Sequence, residues 1–196
     1  MIGKLFAFEG PDGVGKTTLA RWFATHLEES GVRCILLSFP GREPGSLGLH
    51  VYELHHDPSK FGIESLSPFS LQLLHVAAHV DAIEARIKPL IAEGAVVVLD
   101  RFWWSTYVYG KVAGVSEAVL NRMIDLERSA WLPIIPERMF LISRSTPLRT
   151  EPMRTWPLWV DAYSGLAQQE ASVHPVVLVS NEGGLNEAQE RILESI

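Results

Sequence analysis

A three-layer α/β/α fold around a five-stranded parallel sheet is predicted by three features of the 196 residues. Five short apolar runs of strand length recur along the chain, separated by longer amphipathic stretches. Two of these runs, Cys34 to Phe39 and Ala95 to Asp100, are apolar at successive rather than alternate positions, as strands covered on both faces must be. The first run passes directly into a glycine-rich turn and a helix start, which marks the carboxyl edge of the sheet as the binding edge. Strands alternating with helices imply right-handed crossovers.

The elements follow in order. Leu5 opens the first strand, and helix one runs from about Thr17 to Ser30, with Leu19, Phe23 and Leu27 at helical spacing and Gly31 closing it. The second strand, Cys34 to Phe39, delivers Phe39-Pro-Gly-Arg-Glu-Pro-Gly45 to the binding edge. Leu47 to Leu54 reads as a short helix, His55 to Pro58 as a polar turn and the stretch to Ser67 as a loop. At their spacing His55, His56 and Asp57 share no helical face, so they read as solvated loop residues rather than metal ligands. Ser67-Pro68 has the form of an N-cap with proline at the first helical position, and an amphipathic helix runs on to about Ala92, bent near Pro89. The third strand ends in Asp100, with Arg101 next to it. Ser116 to Ala130 is a further helix with Val119, Leu120, Met123, Ile124 and Leu126 on or near its apolar face. A fourth strand at Arg138 to Ile142, a polar stretch from Arg144 to Pro157, a helix to Gln169, a fifth strand at Val176 to Val179 and a helix from Asn186 complete the chain. No linker or repeat divides it, so residues 1–196 read as one domain.

Composition excludes several classes. The formal charge of −6 argues against a general nucleic-acid binder, whose phosphate contacts need a basic face. Cys34 is the single cysteine, which rules out an intramolecular disulfide or a cysteine metal cluster and suits a reducing cytoplasm. The longest apolar runs fall far short of a membrane span. A cytoplasmic protein with no membrane partner is expected, and a homodimer is among the arrangements the sequence leaves open.

The strongest chemical signal is Gly10-Pro-Asp-Gly-Val-Gly-Lys-Thr17, which fits G-x-x-x-x-G-K-[ST] in its required setting between strand and helix. Gly10, Gly13 and Gly15 free the backbone to turn successive N–H groups inward at phosphate oxygens, and the helix start adds its dipole. The loop from Gly10 through Val14 to Thr18 would therefore hold ATP, with Lys16 reaching the β- and γ-phosphates. Thr17 and the strand-end acid Asp100 would serve Mg²⁺ or its waters. The fold is then a phosphate-loop NTPase.

No Asn-Lys-x-Asp or switch segment points to a GTP switch, and Arg101 stands where an ATPase would place a glutamate that activates water. Arg42, Arg101 and the group Arg144, Arg149 and Arg154 fall in loops or strand ends that should face the cradle. Fixed guanidinium forks suit phosphoryl transfer between two phosphate-bearing molecules. Trp103, Trp104, Trp131, Trp156 and Trp159 read as core or lid packing rather than base-stacking groups, and of these only Trp103 and Trp104 lie where a ligand should be.

With these residues in view, the chain resembles the thymidylate kinases over most of its length. Phe8 to Thr18 resembles that family's phosphate loop, and Arg42-Glu-Pro-Gly45 its Arg-Glu-Pro-Gly-Gly segment. Leu73 to His79 with Ile87-Lys-Pro-Leu90 resembles the helix that reads the base, and Asp100-Arg-Phe-x-x-Ser105 with Tyr109 resembles its Asp-Arg-Tyr-x-x-Ser segment. The resemblance implies that Asp12 holds the acceptor's sugar hydroxyl, Arg42 and Arg101 its phosphate, and Tyr109 its sugar or base. It makes residues 144–157 a lid whose Arg149 and Arg154 supply charge over the transferred group, and that proline-rich stretch is expected to be mobile until the donor binds.

The departures fall on the acceptor side. His75 stands where the family commonly stacks a phenylalanine on thymine, and His79 where an arginine reads the pyrimidine edge. Four apart, they share one helical face. The expected activity is ATP- and Mg²⁺-dependent phosphorylation of a nucleoside monophosphate, with thymidine monophosphate favoured by the resemblance. It should be a poorer acceptor than for a standard member, because imidazole changes the hydrogen-bond code. A kinase for another nucleotide or small phosphorylated acceptor, or an inactive nucleotide-binding regulator, are the alternatives.

Overall fold

Every residue of β1 (Leu5–Glu9) is buried, and its apolar side chains alternate between two cores. Leu5 and Ala7 enter one and Phe6 and Phe8 the other, as the two-residue period of a strand requires. The computed structural model describes residues 3–151 and 154–196. In it β1 is the central strand of a five-stranded parallel sheet, ordered β2 (Cys34–Ser38), β3 (Val96–Asp100), β1, β4 (Arg138–Ser143), β5 (Val176–Ser180). Phe8 pairs with Asp100 in register, so the ends of β1 and β3 reach the same edge together.

Helices cover both faces. Leu19 and Phe23 of α1 (Lys16–Glu29) and Ala188 and Ile192 of α8 (Leu185–Leu193) pack on the Phe6, Phe8 and Phe140 face. The opposite face is covered by α3 (Pro68–Ala82), α5 (Trp103–Val112) and α6 (Glu117–Trp131), through Val76, Trp103, Trp104, Val108, Leu120 and Ile124. The helix α7 (Trp156–Glu170) serves both, with Trp156 in the first core and Tyr163 and Leu166 in the second. Each such apolar side chain contributes about 1.5–3 kcal/mol on burial, so Phe8→Ala in the double-faced centre would cost about 3–5 kcal/mol. The layered α/β architecture expected from the sequence is present. No described helix is long and apolar enough to cross a membrane.

Several local expectations need correction. The sequence gives no sign of α5, because seven of its ten residues are buried and no polar stripe or side-chain cap marks it. Trp103 and Trp104 are 1% and 0% exposed in that helix, in the core as expected of them despite their position at the strand end. The long helix expected to bend at Pro89 instead widens into a π-turn at Ile83–Ile87 before α4 (Lys88–Ala92). A proline ring clashes with the carbonyl four residues back, which here is that of Ala85, and the wide turn around that residue relieves the clash. On α6, Leu126 is exposed while Glu127 is buried, the reverse of what polarity alone suggests. The helix α2 (Leu47–His56) runs two residues past its expected end, which places His55 and His56 in a helical turn and not in a loop.

Candidate active site

The donor side is assembled from backbone. Gly10, Gly13 and Gly15 all have positive φ, and Gly15 forms the N-cap of α1 in the left-handed region at φ 95°. A β-carbon on Gly15 would lie 2.6 Å from Asn181 Nδ2, so glycine is required there for space as well as for φ. Asn181 in turn donates to the Val14 carbonyl at 2.8 Å and ties the loop to the end of β5. The Val14 side chain is buried in the core, so this residue offers the loop only its backbone, while Thr18 sits exposed in the first turn of α1.

Lys16 is 5% exposed and donates from Nζ to the Pro11 carbonyl at 2.7 Å, with Asp12 Oδ1 3.8 Å away. Burial lowers its ammonium to about 8, Arg101 pushes the same way, and Asp12, Asp100 and Glu9 oppose them. Beside it the Thr17 hydroxyl donates to Asp100 Oδ2 at 2.6 Å, while Asp100 Oδ1 is buried with no hydrogen-bond partner among the described residues. A buried carboxylate oxygen left open beside a hydroxyl and a phosphate-type loop is a hard-oxygen donor set of the kind Mg²⁺ takes. The residues present fit that ion.

Beside the phosphate loop, where the acceptor was expected, is a cleft of about 290 Å³ lined by Asp12, Arg42, His75, His79, Arg101, Tyr109 and Arg149, together with Phe39, Tyr52, His55, Gln72 and Thr106. Asp12 is its junction. Its Oδ1 is bonded to Arg101 Nη2, its Oδ2 accepts Tyr109 O–H at 2.9 Å, and Arg149 Nη2 lies 3.7 Å away. Burial works against the Asp12 charge, but Arg101, Lys16, the Tyr109 bond and Arg149 overcome it and hold the carboxyl at about 2. Arg101 has φ 84°, a conformation unusual for a residue with a β-carbon, and its Nη1 donates to Ser105 Oγ at 2.9 Å. Arg42 stacks its guanidinium over the Tyr52 ring at 4.2 Å. His75 contacts His55 across the cleft at 3.2 Å. Burial lowers its imidazole to about 3, helped by His79, His55, Arg101 and His56, so it is neutral at physiological pH.

The structure brings together the side chains expected at the site except two of the three arginines of residues 144–154. Arg149 lies at the cleft, where Leu148 N donates to the Gly13 carbonyl at 2.8 Å and so lays this part of the chain on the phosphate loop. Arg154 is exposed and outside the cleft lining. Arg144 is bonded to the Asn181 and Thr146 carbonyls and lies outside the cleft lining. Residues 152 and 153 of the expected lid lie outside the described residues.

Four contributors were not foreseen. Glu9 is fully buried at the end of β1 and accepts Phe102 N–H at 2.7 Å, Ser105 N–H at 3.0 Å, Ser105 O–H at 2.9 Å and Tyr163 O–H at 3.2 Å. It thereby fixes the start of α5 and, through Ser105, the Arg101 fork. An acid inside an apolar strand was the available signal. Glu127 on the apolar stripe of α6 was another. Asn181 and Tyr163 carried none, since neither breaks a pattern.

A family model described as "Thymidylate kinase" matches residues 8–155. The chain is 36% identical over 140 residues to the thymidylate kinase of Dinoroseobacter shibae, covering 71% of this chain and 64% of that protein. It is 38% identical over 140 residues to the thymidylate kinase of Thermoanaerobacter sp. (strain X514), covering 70% of this chain and 64% of that one. The match thus spans less than two thirds of the length of these relatives. The crystal structure of thymidylate kinase from Ehrlichia chaffeensis superposes with a TM-score of 0.78 at 23% identity, covering 99% and 98% of the two chains, and speaks for the fold alone.

Proposed function

The chain belongs to the thymidylate kinase family, and from that premise we propose that it transfers the γ-phosphoryl group of ATP to a nucleoside monophosphate, with thymidine monophosphate as acceptor. The observation that carries this reading is Asp12, a loop residue of the phosphate cradle whose carboxylate binds Arg101 and Tyr109 of the neighbouring cleft. Two anion sites share one side chain. An ATPase that uses water has no need of the second.

In the proposed reaction an oxygen of the acceptor's 5′-phosphate bonds to the γ-phosphorus as the bond from that phosphorus to the β,γ-bridging oxygen breaks, leaving ADP with the electron pair. Lys16 meets the charge that develops on the transferring group, and Arg149, already on the loop, adds to it from the lid side. Arg42 and Arg101 hold the acceptor phosphate. Arg101 can release Asp12 when a phosphate takes its fork, which frees Asp12 for a sugar hydroxyl. Thr17 and Asp100 would hold Mg²⁺, which when bound neutralises phosphate charge. Closure of the lid excludes water and limits hydrolysis.

The test is coupled measurement of ADP release with ATP and Mg²⁺, with and without thymidine monophosphate. Release that depends on the acceptor is expected. Release unaffected by any nucleoside monophosphate overturns the reading and leaves a nucleotide-binding regulator.

A further inference from the structure

Two side chains of α7 stand behind the groups that hold Asp12, and neither lines the cleft. Tyr163 is 1% exposed, and its hydroxyl lies 2.9 Å from Ser105 Oγ and 3.2 Å from Glu9 Oε2, which are themselves 2.9 Å apart. Three oxygens thus close a triangle, and one of its corners, Ser105 Oγ, receives Arg101 Nη1–H. Trp159 meets the Tyr109 ring with centroids 5.1 Å apart, and the Arg101 guanidinium lies over that same ring at 5.6 Å. Arg101 is therefore steadied through Ser105 and through Tyr109, with α7 behind both.

Arg101 needs such support. A residue with a β-carbon at φ 84° keeps that conformation only where its surroundings over-determine it. Once a phosphate takes the fork and Asp12 lets go, the Ser105 bond and the Tyr109 face are what remain to aim it. Burial first, and then the charge of Glu9, raises the Tyr163 phenol well above its ordinary value, so the hydroxyl keeps its proton and can donate. Ser105 Oγ and Glu9 Oε2 are both within its reach. Whichever takes the proton, Ser105 stays fixed where Arg101 meets it, because Glu9 Oε1 also holds the Ser105 N–H at 3.0 Å.

We propose that Tyr163 and Trp159 are positioning residues for the acceptor's phosphate: from α7 they set the Arg101 fork and the Tyr109 ring, although neither meets substrate. The inference rests on the nucleoside monophosphate reading above and extends the acceptor site to a helix that does not line it. The Tyr163 and Trp159 contacts lead to Arg101 and Tyr109 rather than to Lys16 or Thr17, so the effect should fall on the acceptor and spare ATP.

The test is equilibrium binding and steady-state kinetics of thymidine monophosphate and ATP on single variants of the whole chain. Tyr163→Phe removes only the hydroxyl, and Kd and KM for thymidine monophosphate should rise about three- to tenfold while KM for ATP stays within about twofold. Trp159→Leu should act in the same direction, and Trp159→Phe, which keeps an aromatic face against Tyr109, should restore most of the loss. A role in the core alone would instead lower the thermal midpoint and weaken both substrates together. A double-mutant cycle with Ser105→Ala identifies the route, since Tyr163→Phe should add little once Ser105 Oγ is gone. An acceptor KM unchanged in both Tyr163→Phe and Trp159→Leu, equal losses for ATP and acceptor, or full additivity with Ser105→Ala overturns the proposal. If ADP release is independent of every nucleoside monophosphate but thymidine monophosphate still binds, and binds more weakly to Tyr163→Phe, the kinase reading fails and the positioning role stands. A wild type that binds no nucleoside monophosphate overturns both.

Discussion

The proposed donor and acceptor halves of the site are built by opposite means. The phosphate loop is contiguous, and its work is done by backbone amides, three glycines of positive φ and a helix start. The acceptor cleft is drawn from α2, α3, α5, the β2 edge and the lid, and its defining contacts join Asp12 to Tyr109 and His79 to Glu127, residues far apart in the chain. Backbone sites tolerate little change, since each glycine is fixed by space or by φ. Side-chain sites can exchange one pair for another and keep the cleft, as the two histidines on α3 do here.

Lys16→Ala should break the donor half most severely. With Lys16 gone no other described cation lies within the loop itself, and turnover should fall by about 10²–10³-fold or more with the far-ultraviolet circular dichroism unchanged. A turnover within a few-fold of wild type would mean that the loop's amides suffice and that the lysine is incidental.

The proposed lid sharpens the comparison, because Leu148 bonds the phosphate loop and Arg149 lines the cleft. Arg149, paired with Glu151 at 2.6 Å, lines the cleft 3.7 Å from Asp12, whereas Arg154 lies outside the cleft lining, though both are exposed. Arg149→Ala should lower kcat by about tenfold to a hundredfold with a smaller change in KM for ATP, and Arg154→Ala should lower neither. Steady-state kinetics on the two single variants decides it. If the loss appears with Arg154→Ala instead, the lid adopts another arrangement when ATP binds.

How much of each half could be read from the sequence follows from the same contrast. Gly10 to Thr17 was legible because a cradle made of backbone needs fixed residue types at fixed spacing. Asp100 was legible because an acid ending an apolar strand has few other reasons to be there. The buried partners were half legible: Glu9 and Glu127 stand out as acids on apolar elements, but nothing in the sequence says what they bond, and Asn181 and Tyr163 break no pattern. Glu127 sits among apolar neighbours, and α5 has no polar face to give it a period. For Trp103 and Trp104 strand-end position pointed to the cleft and residue type to the core, and the core reading is the one the structure bears out.

A smaller effect is expected at the metal. Asp100→Asn keeps a hydrogen-bond partner for Thr17 but removes the charge that the open Oδ1 would offer. The Mg²⁺ concentration for half activation should rise by about tenfold, while ATP binding measured without metal stays the same. An unaltered Mg²⁺ dependence would place the ion elsewhere.

The smallest effect is a fraction of a proton, and it tests why the donor half works at all. In the free protein burial and Arg101 bring Lys16 to about 8, below the ordinary value of 10.5. Triphosphate binding surrounds Nζ with negative charge and must raise it again. At pH 8 about half of the Lys16 population is neutral before binding and charged after it, so ATP binding should take up about half a proton there and almost none at pH 6. The sign follows from the direction of the shift: the lowered group loses its proton as pH rises through 8, and ATP restores it. Affinity should therefore decline above pH 8, where each binding event must draw a proton from a scarcer supply. Titration calorimetry in two buffers of different ionisation enthalpy reads the proton directly. Uptake that is the same at pH 6 and pH 8, or that survives in Lys16→Ala, would show that the lysine is already charged in the free loop, held by Asp12 and the Pro11 carbonyl.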